Sequence, residues 1–384
     1  MASALNYEYN FILYRETLLF GAISNDILRR AMGVSKYRKT RLFLVECSEE
    51  FSDHAKNYTA AYDLEILLVH SLHEIKYMVL KNRINNQIIV THTWPTTLFP
   101  VSKTFEHENL LLIDDVAPLI DRWQGGNPDR KSFDYALTLR PVRKIITFRY
   151  RRSIKRAKVY VAISDYELKF MKIYYKIIPD AVIYCPVDER FFAYTETERI
   201  SLMVFGNPNQ NAIKFVTNSL GPNIIKEIIL VNSKLNLSGS FPSDIKIAYI
   251  SDYTFQEIRD MYGKTLLSIT EESKGSFELI PIESIMSGVP IISPIVPSLQ
   301  ILTNRINSSS SREKERIYPY FDYLKLMDDC ERGRALEEFA RWFSDVSGQR
   351  EFFSIMCNKL FSIDAVAKDF IAKVEQHFSY VSEK

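Results

Sequence analysis

Two kinds of stretch alternate along this chain: short, mainly apolar runs, and longer segments whose apolar residues recur every three or four positions. The first kind falls at residues 10–14, 41–45, 64–69, 87–90, 110–113, 159–163 and 181–184, and the second lies between several of these, as at 23–32 and 72–81. Apolar runs without polar alternation predict strands buried on both faces, and helical spacing predicts the helices that cover them. The pattern then starts afresh, with strands at 201–205, 225–231, 244–250, 265–269 and 290–293 and helices at 255–262 and 280–287. Strand–helix alternation repeated in this way predicts an α/β protein of two doubly wound parallel-sheet domains. The polar ETER segment marks a junction near 193–200, which divides the chain into an N-terminal domain at 1–195 and a second domain at 196–362. Residues 363–384 follow as an amphipathic helix, with Val366, Phe370, Val374 and Phe378 at a steady four-residue spacing. The serine-rich stretch at 304–314 predicts a polar loop.

Composition narrows the classes. With 384 residues, 46% hydrophobic and 25% charged, the chain can bury two ordinary globular cores. A formal charge of +2 makes any attraction to nucleic acid or membrane a matter of local patches. Cys47, Cys185, Cys330 and Cys357 are scattered without a C-x-x-C pair, which speaks against a zinc site or a disulfide scaffold and for a reducing compartment. Residues 1–21 lack a basic leader followed by a long apolar core, so the expectation is a cytoplasmic protein without a signal peptide or spanning helix.

The stretch 274–293, KGSFELIPIESIMSGVPIIS, holds the most specific chemistry. Pro281 suits the first turn of a helix, where a missing N–H costs nothing, and Gly288 suits the left-handed residue that closes one. A loop, a helix of about two turns and a buried strand therefore follow the strand at 265–269. Loops leaving the carboxyl ends of parallel strands and meeting a helix N-terminus present free amides to anions, phosphates above all. Glu283 in this helix fits either a ligand-binding carboxylate or an acid favoured by the helix dipole.

These residues resemble the segment E-G-F-G-L-P-x-x-E-A-M-x-x-G-x-P-V-I of retaining glycosyltransferases with the GT-B fold. Phe277, Leu279, Glu283, Gly288, Pro290 and Ile292 match in register, Ile291 replaces a valine, and Pro281 and Met286 fall one place late. Gly275 stands where the family has its first glutamate, and Ser276 and Glu278 occupy its glycine positions. Glu271, Glu272 and Glu278 are near enough to replace the missing carboxylate. Weaker matches at 155–171, 181–192 and 251–270 keep the family order, so the resemblance spans roughly residues 110–295.

The resemblance implies a GT-B fold, with two Rossmann-like domains facing across a cleft, and sugar transfer from a nucleotide-diphosphate sugar with retention of configuration. It implies a hexosyltransferase-type enzyme (EC 2.4) that uses the nucleotide sugar as co-substrate, with no other cofactor and no metal. The donor would bind the second domain, where Glu283 would hold the ribose and the amides around Gly275, Ser276, Phe277 and Leu279 would meet phosphate and sugar. Gly206 matches the glycine ending that domain's first strand. Asn207 replaces the family arginine and Lys214 is the nearest lysine, also readable as an ordinary solvated surface residue. On the acceptor side the resemblance points to Gly21 in a turn and to Asp114 and Asp115 at a strand end. These aspartates, His92 at the end of the preceding strand and Glu278 are the candidate catalytic groups. Paired aspartates at a strand end also serve as turn and capping residues. The family's C-terminal helix crosses back onto the first domain.

Residues 140–158 hold nine basic residues and no acid, interleaved with Ile, Phe and Tyr. Such a helix can simply be solvated or can lie on an anionic membrane surface. A peripheral membrane contact and a sugar, lipid-linked or protein acceptor are the partners expected, without nucleic acid. The alternatives are a catalytically degenerate GT-B binding subunit and a protein that binds nucleic acid or membrane through this segment.

Overall fold

A computed structural model of the chain describes residues 7–15, 22–81, 86–93, 95–113, 140–237, 239–251, 253–271, 277–309, 317–327 and 332–382. The chain divides into two compact units, the first comprising Met1–Pro186 with Ile363–Lys384 and the second Val187–Ser362.

Unit 1 begins β1 (Tyr7–Tyr14), α1 (Ala22–Ser35), β2 (Thr40–Val45), α2 (Glu49–Thr59), β3 (Glu65–Val69), α3 (Leu72–Lys81) and β4 (Asn86–His92). It continues with α4 (Pro95–Thr104), β5 (Leu110–Ile113), α5 (Arg140–Ile154), β6 (Val159–Ala162), α6 (Asp165–Phe170), a π-helix at Met171–Tyr175 and β7 (Ala181–Val182). The strands pair in parallel in the order β3-β2-β1-β4-β5-β6-β7. Central β1 is buried at every position, its polar Glu8 and Asn10 included. One face of the sheet carries α3, α4 and α5, whose Ile75, Val101 and Tyr150 share a single hydrophobic cluster. Toward the other face packs α14 (Ile363–Ser382), together with α1. The four-residue spacing of α14 reappears as burial of Val366, Phe370, Val374 and Phe378. Phe370 lies 6.0 Å from the Tyr9 ring and 6.2 Å from Phe11, and Phe378 6.3 Å from Tyr7. Glu375 adds a polar clamp, accepting from Arg38 Nε at 2.7 Å and Tyr9 Oη at 3.3 Å.

Unit 2 contains β8 (Ser201–Phe205), α7 (Gln210–Leu220), β9 (Glu227–Val231), β10 (Lys246–Ile250), α8 (Phe255–Lys264), β11 (Thr265–Thr270) and α9 (Leu279–Met286). There follow β12 (Ile291–Ser293), α10 (Pro297–Ser309), β13 (Tyr320–Asp322), α11 (Leu324–Met327), α12 (Arg332–Ser347) and α13 (Arg350–Phe361). Its parallel order is β10-β9-β8-β11-β12-β13. Both sheets thus reverse direction beside their first strand, the doubly wound arrangement predicted from the hydrophobic pattern.

Part of the predicted serine-rich loop is helical, because α10 runs on to Ser309. Tertiary bonds override local composition there: Tyr320 shares a hydrogen bond with Thr303 at 2.7 Å, and Tyr318 donates to Asn307 at 2.8 Å. The polar ETER segment packs within unit 2 through Arg199, whose guanidinium donates to the carbonyls of Thr195, Tyr262, Thr265 and Ser287.

Candidate functional site

The sheet of unit 2 reverses between β8 and β11, and Phe205 at the end of β8 lies opposite Thr270 at the end of β11. At such a point the loops diverge to opposite faces and leave a crevice. Gly206 leaves β8 at φ +69°, a left-handed conformation, and a Cβ built on it would meet nothing within 4 Å. The backbone there is open to an approaching group. Asn207 is exposed, but its Oδ1 accepts from the Lys234 amide at 2.6 Å and so ties this loop to the one after β9. Asn209 caps α7 by accepting from the Asn211 amide, and its own amide donates to Tyr323 Oη at 2.8 Å. Lys214 sits in the second turn of α7, half-buried and without an ion-pair partner among the described residues.

Helix α9 starts one residue earlier than the sequence suggested, with Glu278 as its N-cap. That side chain makes no capping bond to the helix. Ser298 fixes the Glu278 carbonyl with a 2.9 Å bond, and Phe277 stacks edge-on against Phe361 at 5.6 Å. Glu283 becomes the fifth helical residue, beyond the first turn, and no acid lies within that turn. The dipole explanation for Glu283 therefore loses its geometric basis, since the effect fades past the terminal turn. Its carboxylate lies near the phenols of Tyr253 and Tyr262. Burial raises the pKa of both phenols most, and the Glu283 charge raises them further.

The far end of α9 is anchored. Gly288 takes φ +72°, its amide bonds Ile285 O at 2.9 Å, and Val289 N bonds Ser284 O at 2.9 Å, closing the helix in a Schellman motif. A Cβ at Gly288 would lie 2.2 Å from Tyr194 Cδ2. Ser284 Oγ bonds Ser268 Oγ at 3.0 Å, tying α9 to β11. Arg199 reaches Ser287 O at 2.9 Å and Arg350 reaches Gly288 O at 3.4 Å, so two cations face the negative end of this helix. Burial lowers both guanidinium pKa values. That of Arg350 is pulled down to about 10 by burial and then by the like charge of Arg199. Sequence reasoning missed both arginines, because nothing in their local pattern distinguishes a carbonyl clamp from a surface arginine.

Unit 1 reverses between β1 and β4. His92 ends β4 and is 2% exposed, so it is placed at the carboxyl edge as expected but is enclosed rather than presented to solvent. Among the described residues, this edge also carries an exposed pair that sequence reasoning passed over. Arg15 Nε meets Glu46 Oε2 at 2.6 Å, and Tyr14 Oη donates to Glu46 Oε1 at 3.1 Å. Asp114, Asp115, Gly21, Gly275 and Ser276 lie outside the described residues. A cavity of about 550 Å³ lined by Asp180, Lys373, His377 and Tyr380 also contains Val159 and Ala181, the first residues of β6 and β7. It belongs to the amino edge of the sheet, opposite the edge where doubly wound folds bind ligands.

No family model matches the chain, and no curated protein matches it by sequence. Solved structures match along almost all of it. Sucrose-phosphate synthase from Thermosynechococcus elongatus superposes with TM-score 0.60 at 11% identity, over 97% of this chain and 99% of that one. HepE of Anabaena, solved in complex with UDP, gives TM-score 0.60 at 9% identity over 97% and 100%. Accessory secretory proteins 1, 2 and 3 of Streptococcus pneumoniae give 0.62 at 9% identity over 98% and 99%. The chain has the GT-B fold. At these identities the likeness establishes GT-B architecture.

Proposed function

We propose that this GT-B chain is a glycosyltransferase that moves a sugar from a nucleotide-diphosphate sugar to a sugar, lipid-linked or protein acceptor, without a metal and with retention of configuration. The observation carrying the proposal is the strand-reversal point of unit 2. There an open left-handed glycine follows β8 beside the end of β11, and the next helix, α9, whose N-cap Glu278 makes no side-chain capping bond, carries Glu283. Bond breaking puts charge on the departing diphosphate, which amides at a helix N-terminus and a nearby ammonium stabilise without any protein group changing covalently. In this reading the α9 amides and Lys214 meet the diphosphate, Glu283 holds the ribose hydroxyls and Glu278 faces the sugar. The acceptor binds unit 1, with Asp114, Asp115 and His92 as candidate groups near it. HepE, a fold relative, binds UDP, which supports a nucleoside diphosphate as the ligand class.

The test is a thermal-shift screen against UDP, GDP, ADP and TDP sugars, followed by donor hydrolysis. A ligand present at about a hundred times its Kd adds roughly 2.7 kcal/mol to stability, which is readily measured. Glu283→Ala is expected to lose at least about tenfold in donor affinity, the equivalent of one charge-assisted hydrogen bond. Absence of any shift across the panel would reject nucleotide-sugar binding. A shift without turnover would identify a binding subunit in place of an enzyme.

A further inference from the structure

Unit 1 buries one side of α5 and leaves the other in water. Tyr150 and Ile154 are 1% and 4% exposed and belong to the cluster that also holds Met171 of the π-helix. On the outer side Ile145 and Phe148 are 58% and 66% exposed, among the exposed Lys144, Arg149, Arg152 and Lys155. Positions 145, 148, 149 and 152 are three or four residues apart and form one stripe. The next crossover repeats this composition. Ile173 and Ile178 are 59% and 69% exposed, and Lys172 and Lys176 are exposed beside them.

The two crossovers step the same way across the sheet, from β5 to β6 and from β6 to β7. Right-handed connections therefore set them on one face, in agreement with their shared cluster. Residues 140–163 and 168–179 contain neither Asp nor Glu. Arg156 is held by Glu106 at 3.1 Å, whereas Lys144, Arg149, Arg152 and Lys155 have no carboxylate partner among the described residues. A merely solvated face mixes charges of both signs and keeps large apolar groups scattered.

We propose that this face of unit 1 docks on an anionic lipid bilayer, with Ile145, Phe148 and Ile173 entering the acyl boundary and the surrounding lysines and arginines resting on lipid phosphates. Charge complementarity selects the partner, and the exposed apolar groups select a lipid over a polynucleotide. A phosphate backbone would satisfy the cations and leave Phe148 in water, whereas an interfacial helix uses both. No helix among the described residues is long and apolar enough to cross a membrane.

Sedimentation with vesicles tests this without reference to sugar transfer. The full chain is expected to pellet with phosphatidylcholine–phosphatidylglycerol vesicles and to stay in solution with phosphatidylcholine alone. Combined Lys144→Gln, Arg149→Gln and Arg152→Gln substitutions should weaken that partition about a hundredfold, the effect of three cations near a charged surface. In an otherwise unchanged chain, the indole introduced by Phe148→Trp should shift its emission to the blue on binding and be quenched by brominated lipid. The proposal is overturned by failure to bind the anionic vesicles, by a triple variant that folds and binds like the parent, or by an indole emission in the Phe148→Trp chain that stays solvent-like. Salt-sensitive binding to a nucleic-acid duplex with no binding to vesicles would overturn it as well.

Discussion

Each unit turns its chain out of the first two strands of its sheet by the same backbone device, and fills the resulting corner differently. In unit 1, Arg15 follows β1 at φ 57° and its amide bonds Val45 O at 2.9 Å, while Glu46 follows β2 at φ 54° and bonds Val69 O at 3.1 Å. In unit 2, Gly206 follows β8 at φ 69° and bonds Val231 O at 3.1 Å, while Asn232 follows β9 at φ 50° and bonds Ile250 O at 2.8 Å. Four left-handed residues and four equivalent hydrogen bonds mark one template used twice. Unit 2 puts a glycine and a neutral amide at the corner, leaving open space beside the Gly206 backbone. Unit 1 puts there an arginine and a glutamate, closed into an ion pair over the ring of Tyr14, with Arg15 Cζ 4.9 Å from its centroid. The divergence separates an open corner from one filled by paired side chains.

Converting one corner into the other should have the largest effect. Gly206→Arg places a side chain in the open space and forces it to left-handed φ, which costs about 1–2 kcal/mol of stability. Nucleotide affinity should fall further than stability alone explains, at least about tenfold, as backbone access to the phosphate is lost. Denaturant melts with and without UDP separate the two effects. An unchanged UDP shift would remove Gly206 from the site.

The helix preceding the fourth strand offers a second contrast. Tyr262 is the eighth residue of α8, and Val79, counted alike, is the eighth of α3. The Tyr262 hydroxyl is buried with no hydrogen-bond partner among the described residues, while its ring packs on Phe192 and Phe205. An unmet buried hydroxyl is destabilising, so Tyr262→Phe should raise stability by about 1 kcal/mol. If the variant instead loses donor affinity, the hydroxyl is satisfied only in the ligand-bound state, near Glu283. Calorimetry and UDP titration of the same variant distinguish these outcomes.

Some of this contrast could be read in the sequence, and the reason for the rest is physical. Buried parallel strands announce themselves as mainly apolar runs, which is why both sheets and the restart at 201 were legible. The end of α9 was legible because only glycine closes a Schellman turn without strain, and its beginning because proline tolerates few helical positions. Non-glycine residues at positive φ carry no such signal: Arg15, Glu46 and Asn232 are held by strand-end hydrogen bonds that exist only once the sheet has formed. Strand β13 has three residues and shows no periodicity, and α12 and α13 were not singled out. In the candidate site, Gly206 follows β8 and Phe277 precedes α9 as the motif suggested, whereas Leu279 opens the helix and Glu283 lies beyond its first turn. Arg199 and Arg350 were invisible because their partners are carbonyls distant in sequence.

The reverse conversion should be nearly silent. Arg15→Gly relieves left-handed strain of about 1–2 kcal/mol but frees the unfolded chain by 0.5–1 kcal/mol, on the order of magnitude usual for glycine. It also removes an ion pair that is worth little, because the Arg15 side chain is 61% exposed. The net change should stay within about 1 kcal/mol. A destabilisation well beyond that would show the corner of unit 1 to be a structural lock.

The smallest effect concerns acid. Arg15, bonded to Glu46, does most to hold its carboxyl below the ordinary value of 4.5, and Tyr14 adds to this. A carboxylate depressed in the folded state contributes stability that is complete above its unfolded pKa and vanishes as pH falls through the lower native value. Glu46→Gln should therefore cost no more than about 0.5 kcal/mol at neutral pH, because the pair is largely exposed and screened. The two proteins should converge as pH falls through that lower native value. Asn232, at the equivalent place in unit 2, has no proton to gain, and Asn232→Asp would test whether that corner tolerates charge. Urea melts of parent and Glu46→Gln across the acid range check the sign. A difference that widens as pH falls would mean that Glu46 is stabilised by something other than its bonds to Arg15 and Tyr14.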